Sequence, residues 1–162
     1  MTVFLDAERC KKITPYIPAD LLKDWEWWYR NDRILHKSVM KAVNGDIVLY
    51  IDTKTGGTHN ANDVISKIKE TVPALDTGIL GSVILLIISK QETRASSSRR
   101  VIGAYGHPLL NKEVWLRFLG KPHIDQQVFD GKSELENRAN ALIYLIDNKI
   151  ITEVNNARIQ VL

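Results

Sequence analysis

Residues 38–53, SVMKAVNGDIVLYIDT, place two β-type runs on either side of Asn44-Gly45. Two-residue hairpin loops favour that dipeptide, because a type I′ turn needs positive φ at both central residues. The stretch predicts a β-hairpin and commits part of the chain to antiparallel sheet. Whatever else forms must pack against it.

The elements around the hairpin are read from spacing and punctuation. In DLLKDWEWWYRN, Leu21, Leu22, Trp25, Trp28 and Tyr29 share one helical face, which predicts a helix with Trp25 and Trp28 in the core and Trp27 off that face, available to a partner. NDVISKIKETV sets Val64, Ile65, Ile68 and Val72 on one helical face ahead of Pro73. The continuous apolar run Val83 to Ile88 reads as a central strand buried on both faces. RVIGAYGH reads as a short strand. NKEVWLRFLGKP reads as a short helix carrying Val114, Trp115, Phe118 and Leu119, closed by Gly120 and Pro122. Ser133 and Glu136 have capping-box spacing ahead of Leu135, Ala139, Leu142, Ile143 and Ile146 on one face. That helix runs into a terminal hairpin turning at Asn155-Asn156. The prediction is an α+β fold, a single domain with a central, mainly antiparallel sheet and helices packed against it. No repeat or linker divides the chain.

At 162 residues with 44% hydrophobic content, one core is enough. The single cysteine, Cys10, excludes an internal disulfide framework and a cysteine-rich zinc site, and reads as a small half-buried side chain. MTVFLDAERCKK has an acid where a signal peptide needs its apolar core. The apolar run Ile79 to Ile88 is half the length a bilayer requires. The expectation is therefore a protein with no secretion signal and no transmembrane segment, touching membranes peripherally if at all. The two prolines of TPYIP predict an irregular N-terminal arm over residues 1–18, locally basic through Arg9, Lys11 and Lys12, ahead of a globular domain over 19–162.

Charge is unevenly spread. SKQETRASSSRR, residues 89–100, holds Lys90, Arg94, Arg99 and Arg100 against the single acid Glu92. Its local charge of +3 equals the net charge of the whole chain, so the remainder sums to zero. A polar stretch of this kind predicts a mobile basic loop, and clustered cations attract phosphates and anionic lipid where a dispersed charge would not. Each cation contributes on the order of 1 kcal/mol near an anionic surface. Four bind weakly, and many copies side by side bind well.

Complete catalytic constellations are missing. IVLYIDTK ends an apolar strand in Asp52-x-Lys54, with Asp32 at the mouth of the hairpin and Asp24 or Glu26 upstream. Metal-dependent nucleases of the PD-(D/E)xK class use such a layout, two carboxylates holding Mg²⁺ while a lysine steadies the developing phosphate charge. A solvated hairpin edge has the same residues. LYIDTKTGG with the serines of ASSS suggests a serine-protease loop, but a serine in a flexible arginine-rich segment lacks the rigid turn and packed base that activation requires. His36, His59, His107 and His123 lack ligand spacing. TKTGGT lacks the residues that follow the glycines of a phosphate loop. No metal ligand set and no cofactor is expected.

The order of elements carries a resemblance: a basic arm, a hairpin strand, the helix-like ANDVISKIKE, a glycine-containing approach to an apolar run, a polar loop, and ELENRANALIYLIDNKI feeding a last hairpin. Over residues 38–90 and 130–162 this resembles the globular domain of rhabdovirus-type matrix proteins. The long lysine-rich tail and the Pro-Pro-x-Tyr budding signal of that family are not in this sequence. The resemblance implies a non-enzymatic structural protein of the virion inner layer, found in host cytoplasm and on the inner face of membranes. Such a protein self-associates and bridges the viral nucleocapsid, or its RNA, to an anionic membrane. Lys90, Arg94, Arg99, Arg100, Arg9, Lys11 and Lys12 would then make the membrane and nucleocapsid contacts, with Tyr16 and Trp27 in self-association. The alternatives are the small Mg²⁺-dependent nuclease using Asp32, Asp52 and Lys54, and an immunity or inhibitor protein.

Overall fold

The computed structural model describes residues 3–22, 24–60, 71–92, 100–105, 114–119, 124–131, 133–155 and 158–161. Asp6, in extended conformation, accepts the Arg9 amide at 3.0 Å and caps α1 (Ala7–Ile13). A 3₁₀ turn over Thr14–Tyr16 follows, with Pro15 where its missing N–H does no harm. Leu5, Cys10, Ile13 and Ile17 point inward and are almost wholly buried. Where an irregular arm was expected over residues 1–18, residues 7–16 are helical and pack into the core. Pro15 and Pro18 bound the helical turns without breaking one.

A single turn, α2 (Ala19–Leu22), ends where a longer helix was expected. Trp27–Arg30 is instead strand β1. Aromatic side chains favour a pleated, half-buried surface, and here Trp28 points to one face while Trp27 and Tyr29 point to the other. Because both faces are apolar, no alternation betrays the strand. The β1–β2 turn places Asn31 at φ 52°, a conformation asparagine tolerates.

Strands β2 (Arg33–Ala42), β3 (Gly45–Asp52), β4 (Thr58–Asn60) and β5 (Thr71–Pro73) complete an antiparallel five-stranded sheet in the order β4-β3-β2-β1-β5. The predicted hairpin is present, with Ala42 opposite Gly45. Its turn differs in detail. Val43 and Asn44 are the central residues, Asn44 keeps a negative φ, and the positive φ falls on Gly45 at 121°. Most of the helix expected over 62–72 lies outside the described residues.

The apolar run expected as a strand is the long helix α3 (Thr77–Glu92). The Asp76 carboxylate accepts the Ile79 amide at 2.9 Å at its start. Ile79, Leu80, Val83, Ile84 and Ile87 form its buried stripe while Leu85 is exposed, a 3.6-residue period hidden by the near-uniform hydrophobicity of the segment. The expected strand over RVIGAY is present as β6 (Arg100–Tyr105). The helix expected around Val114 is strand β7 (Val114–Leu119), flanked by β6 and β8 (Ile124–Phe129) in a three-stranded antiparallel sheet. Val114 and Leu116 alternate into the core.

Helix α4 (Glu134–Asp147) begins as predicted, with the Ser133 hydroxyl accepting the Glu136 amide at 3.3 Å. It ends in a Schellman motif: the Ile150 amide donates to the Leu145 carbonyl and the Lys149 amide to the Ile146 carbonyl, with Lys149 at φ 55°. Buried Leu145 and Ile150 make the accompanying apolar pair. Lys149 occupies a position where glycine has no Cβ penalty, so Lys149→Gly is expected to stabilise the fold by roughly 0.5–1 kcal/mol, read from urea midpoints. Strands β9 (Ile151–Asn155) and β10 (Arg158–Val161) form the expected last hairpin.

The main core joins Leu5, Cys10, Ile13 and Ile17 to the α3 stripe, to Val114 and Leu116, and to Leu135, Ala139, Leu142 and Leu145 of α4. Where α3 and α4 meet, the Arg138 guanidinium donates to the Thr77 carbonyl at 2.6 Å and pairs with Glu134 at 2.5 Å. Gly81 makes room for it: a Cβ there would lie 2.5 Å from Arg138 Nη1. A smaller cluster of Leu35 and Tyr50, with Trp28 and Val48 against it, lies on the other face of the five-stranded sheet.

Candidate interaction surface

The cations predicted to bind anionic partners fall into two groups. Arg9 is held within the molecule, its Nη1 and Nη2 on the two Glu136 oxygens at 2.5 and 2.7 Å and its Nε on Asp6. Lys12 pairs with Asp147 at 2.7 Å. Arg9 and Lys12 therefore link α1 to α4 through these pairs, Arg9 half-buried and Lys12 exposed, and Lys11 is exposed beside them. The second group surrounds the α3–β6 connection. The loop expected over 89–100 starts later, since α3 runs through Lys90 to Glu92, and Arg100 opens β6. Arg94 and Arg99 lie outside the described residues.

The two aromatic residues predicted for self-association are both engaged internally. Tyr16 is half-buried and packs against the main core. Trp27 lies between Phe4, at 5.2 Å between ring centroids, and His36, at 4.1 Å. His36 Nε2 is in turn 3.6 Å from Glu26. Trp25 and Trp28 are fixed by their indole N–H groups, which donate to the Ala74 and Trp25 carbonyls at 3.0 and 3.1 Å.

The nuclease layout separates on inspection of its partners. Asp52 is buried, and its oxygens accept the Lys54 and Thr55 amides at 2.8 and 3.2 Å and Arg33 Nη1 at 3.0 Å. The Lys54 amide, with Arg33 behind it, holds the carboxyl far below the usual carboxylate range, although burial opposes this. Asp52 thus organises the β3–β4 turn with lone pairs that a metal would otherwise need, while Asp32 and Lys54 are exposed in turns at the same end of the sheet. His59 contacts Arg30 at 3.1 Å. His107 and His123 lie outside the described residues. Among the described residues, no three His, Cys, Asp or Glu gather closely enough to hold a metal ion, and no helix is long and apolar enough to cross a membrane.

Cys10 is fully buried, donating through Sγ to the Leu5 carbonyl and accepting the Leu75 amide at 3.4 Å. Burial pushes its thiol up to about 11, with the Leu75 N–H only partly offsetting this. The thiol is therefore protonated at neutral pH. Ellman's reagent is expected to leave Cys10 unmodified in the folded protein and to titrate one thiol in denaturant.

Sequence reasoning missed one surface. Paired residues of β2 and β3 share a face, so Arg33, Leu35, Lys37 and Lys41 line up with Asp46, Tyr50 and Asp52 on one side. There Leu35, Tyr50 and Asp52 are buried. On the other side lie Ile34, His36, Ser38 and Met40 of β2 with Ile47, Leu49 and Ile51 of β3, and Thr58 and Asn60 of β4 beside them. None of these is fully buried, and Met40 and Ile47 are 54% and 47% exposed. Among the described residues this face is covered over β1 and β5, where Phe4 lies against Trp27, the Tyr29 hydroxyl donates to the Leu5 carbonyl at 3.0 Å and Val72 packs against the main core. The detectable signal was the parity of the charges: every Lys, Arg, Asp and Glu of β2 and β3 falls on the first face. A scan of protein-family models, a search of curated proteins and a search of solved structures each found no match.

Proposed function

We propose that the chain is a non-enzymatic, matrix-type structural protein that self-associates and bridges a viral nucleocapsid to an anionic membrane as a peripheral layer. The observation that carries this reading is the confinement of surplus charge. Arg9 and Lys12 pair with Glu136 and Asp147, while along the sequence the surplus charge of +3 falls on residues 89–100 and the remainder of the chain sums to zero. A balanced body lets copies approach one another, while a local cationic patch on each copy adds to its neighbours' on a common anionic surface. The resemblance to rhabdovirus-type matrix proteins points the same way. Asp52, engaged by Arg33 and two backbone amides, argues against the nuclease alternative.

Flotation with vesicles tests the reading. Wild-type protein is expected to float with vesicles containing phosphatidylserine at low salt, to float poorly with phosphatidylcholine alone, and to be released as ionic strength rises. Changing Arg94, Arg99 and Arg100 together to alanine is expected to abolish most of that binding. Flotation that ignores those changes would remove the connection from the reading. Cleavage of plasmid with Mg²⁺ that Asp52→Ala abolishes would overturn it in favour of the nuclease.

A further inference from the structure

We infer that the open face of β2 and β3 is the surface through which two copies of this chain associate, by packing sheet against sheet. The inference rests on the self-association in the proposed function and names where it occurs. Ile47, Leu49 and Ile51 form a continuous apolar stripe along β3, with Met40 opposite Ile47 and Ile34 further along β2; Met40 and Ile47 are exposed, the others half-buried, and none belongs to either buried cluster. Soluble proteins seldom leave such a patch open without a partner for it.

The charge pattern selects the occupant. This face of β2, β3 and β4 carries no Lys, Arg, Asp or Glu. Its one titratable side chain is His36, which lies between Trp27 and Glu26 at the rim. An anionic bilayer or a nucleic acid selects cationic surfaces, and the cations of these strands are on the opposite side. A neutral apolar face can meet an identical face without like charges opposing one another, as a two-fold contact requires. Two antiparallel sheets pack face to face about 10 Å apart through interdigitated side chains of this kind. Thr58 and Asn60 on β4 supply a polar margin on one side, and Ser38, opposite Leu49, places a hydroxyl among the apolar residues.

Sedimentation velocity of the full chain over a range of concentrations tests this. Wild type is expected to shift from monomer to dimer or larger species. Ile47→Glu and, separately, Met40→Glu are expected to weaken that association at least tenfold, because each would bury an unpaired carboxylate at the contact. Lys41→Glu, on the opposite face, is expected to leave it unchanged. Circular dichroism confirms that the variants fold, as replacement at two exposed positions allows. Ser38→Cys adds an independent readout: a bifunctional maleimide should join two copies through it, the native thiol Cys10 being buried. A wild type that stays monomeric up to millimolar concentration overturns the inference. So does association that both glutamate variants retain, which would move the contact elsewhere and leave the membrane reading intact. Variants that stop floating with vesicles while still self-associating would make lipid the occupant, and would also overturn it.

Discussion

A chain lacking residues 1–17 is expected not to fold. Leu5, Ile13 and Ile17 are among the core residues, and burying a large aliphatic side chain is worth roughly 1.5–3 kcal/mol. Losing three of them removes an amount comparable with the whole stability of an ordinary domain, about 5–15 kcal/mol. Their removal would also expose the α1-facing side of α4 and strand Glu136 without Arg9. An unpacked arm would predict the opposite: a truncated protein with an unchanged urea midpoint. The single substitution Ile13→Ala separates the two cases with less disruption. It is expected to cost about 2–5 kcal/mol, measured by urea denaturation followed through tryptophan fluorescence.

The second large effect is at Asp52. Replacing it with alanine leaves the Lys54 and Thr55 amides and Arg33 without their acceptor at the end of β3. Asp52→Ala is expected to lower the urea midpoint markedly, Asp52→Asn less, and Asp32→Asn hardly at all, since Asp32 is exposed in a turn. The pH dependence has a definite sign. Because the folded carboxyl is held below its ordinary value of 3.8, the unfolded chain takes up the proton first on acidification. The stability contributed by Asp52 is fully present above that value and is lost as the pH falls below it towards the folded value. The gap between wild type and Asp52→Asn should accordingly be widest near neutrality and narrow between about pH 5 and pH 2. A gap that stays constant on acidification would show that the carboxylate is not held in this way.

The parts of the fold that were legible in sequence carry local, self-sufficient signals. Ser133 with Glu136 marked the start of α4, and Asn44-Gly45 marked the β2–β3 hairpin, because caps and tight turns depend on a few adjacent residues. The errors arose where packing decides. Trp25, Trp28 and Tyr29 fit a helical face, and 27–30 fits a strand equally well, until β2 and β5 are known to lie on either side of β1. Val83 to Ile88 is apolar throughout, and periodicity alone does not separate a buried helix from a buried strand; the start signal at Asp76 was the informative residue. Around Val114, aromatic and aliphatic residues fitted a short helix, whereas β6 and β8 require a central strand. For the candidate surface, clusters of like residues drew attention to Arg9 and Lys12, whose acids lie far away in sequence at Glu136 and Asp147. The open apolar face escaped notice because Val48 and Tyr50 interrupt the alternation of Ile47, Leu49 and Ile51.

The fork between Arg9 and Glu136 closes a loop of 127 residues. During synthesis on the ribosome, α1 and Leu5 can meet Tyr29 and Leu75 midway, but the α4 side of their site arrives only after residues 134–147 have followed, so the core around Leu5, Ile13 and Ile17 stays incomplete until then. Slow translation past residue 100 would lengthen that exposure, and chaperone engagement of nascent chains should end abruptly once residues 134–147 clear the exit tunnel.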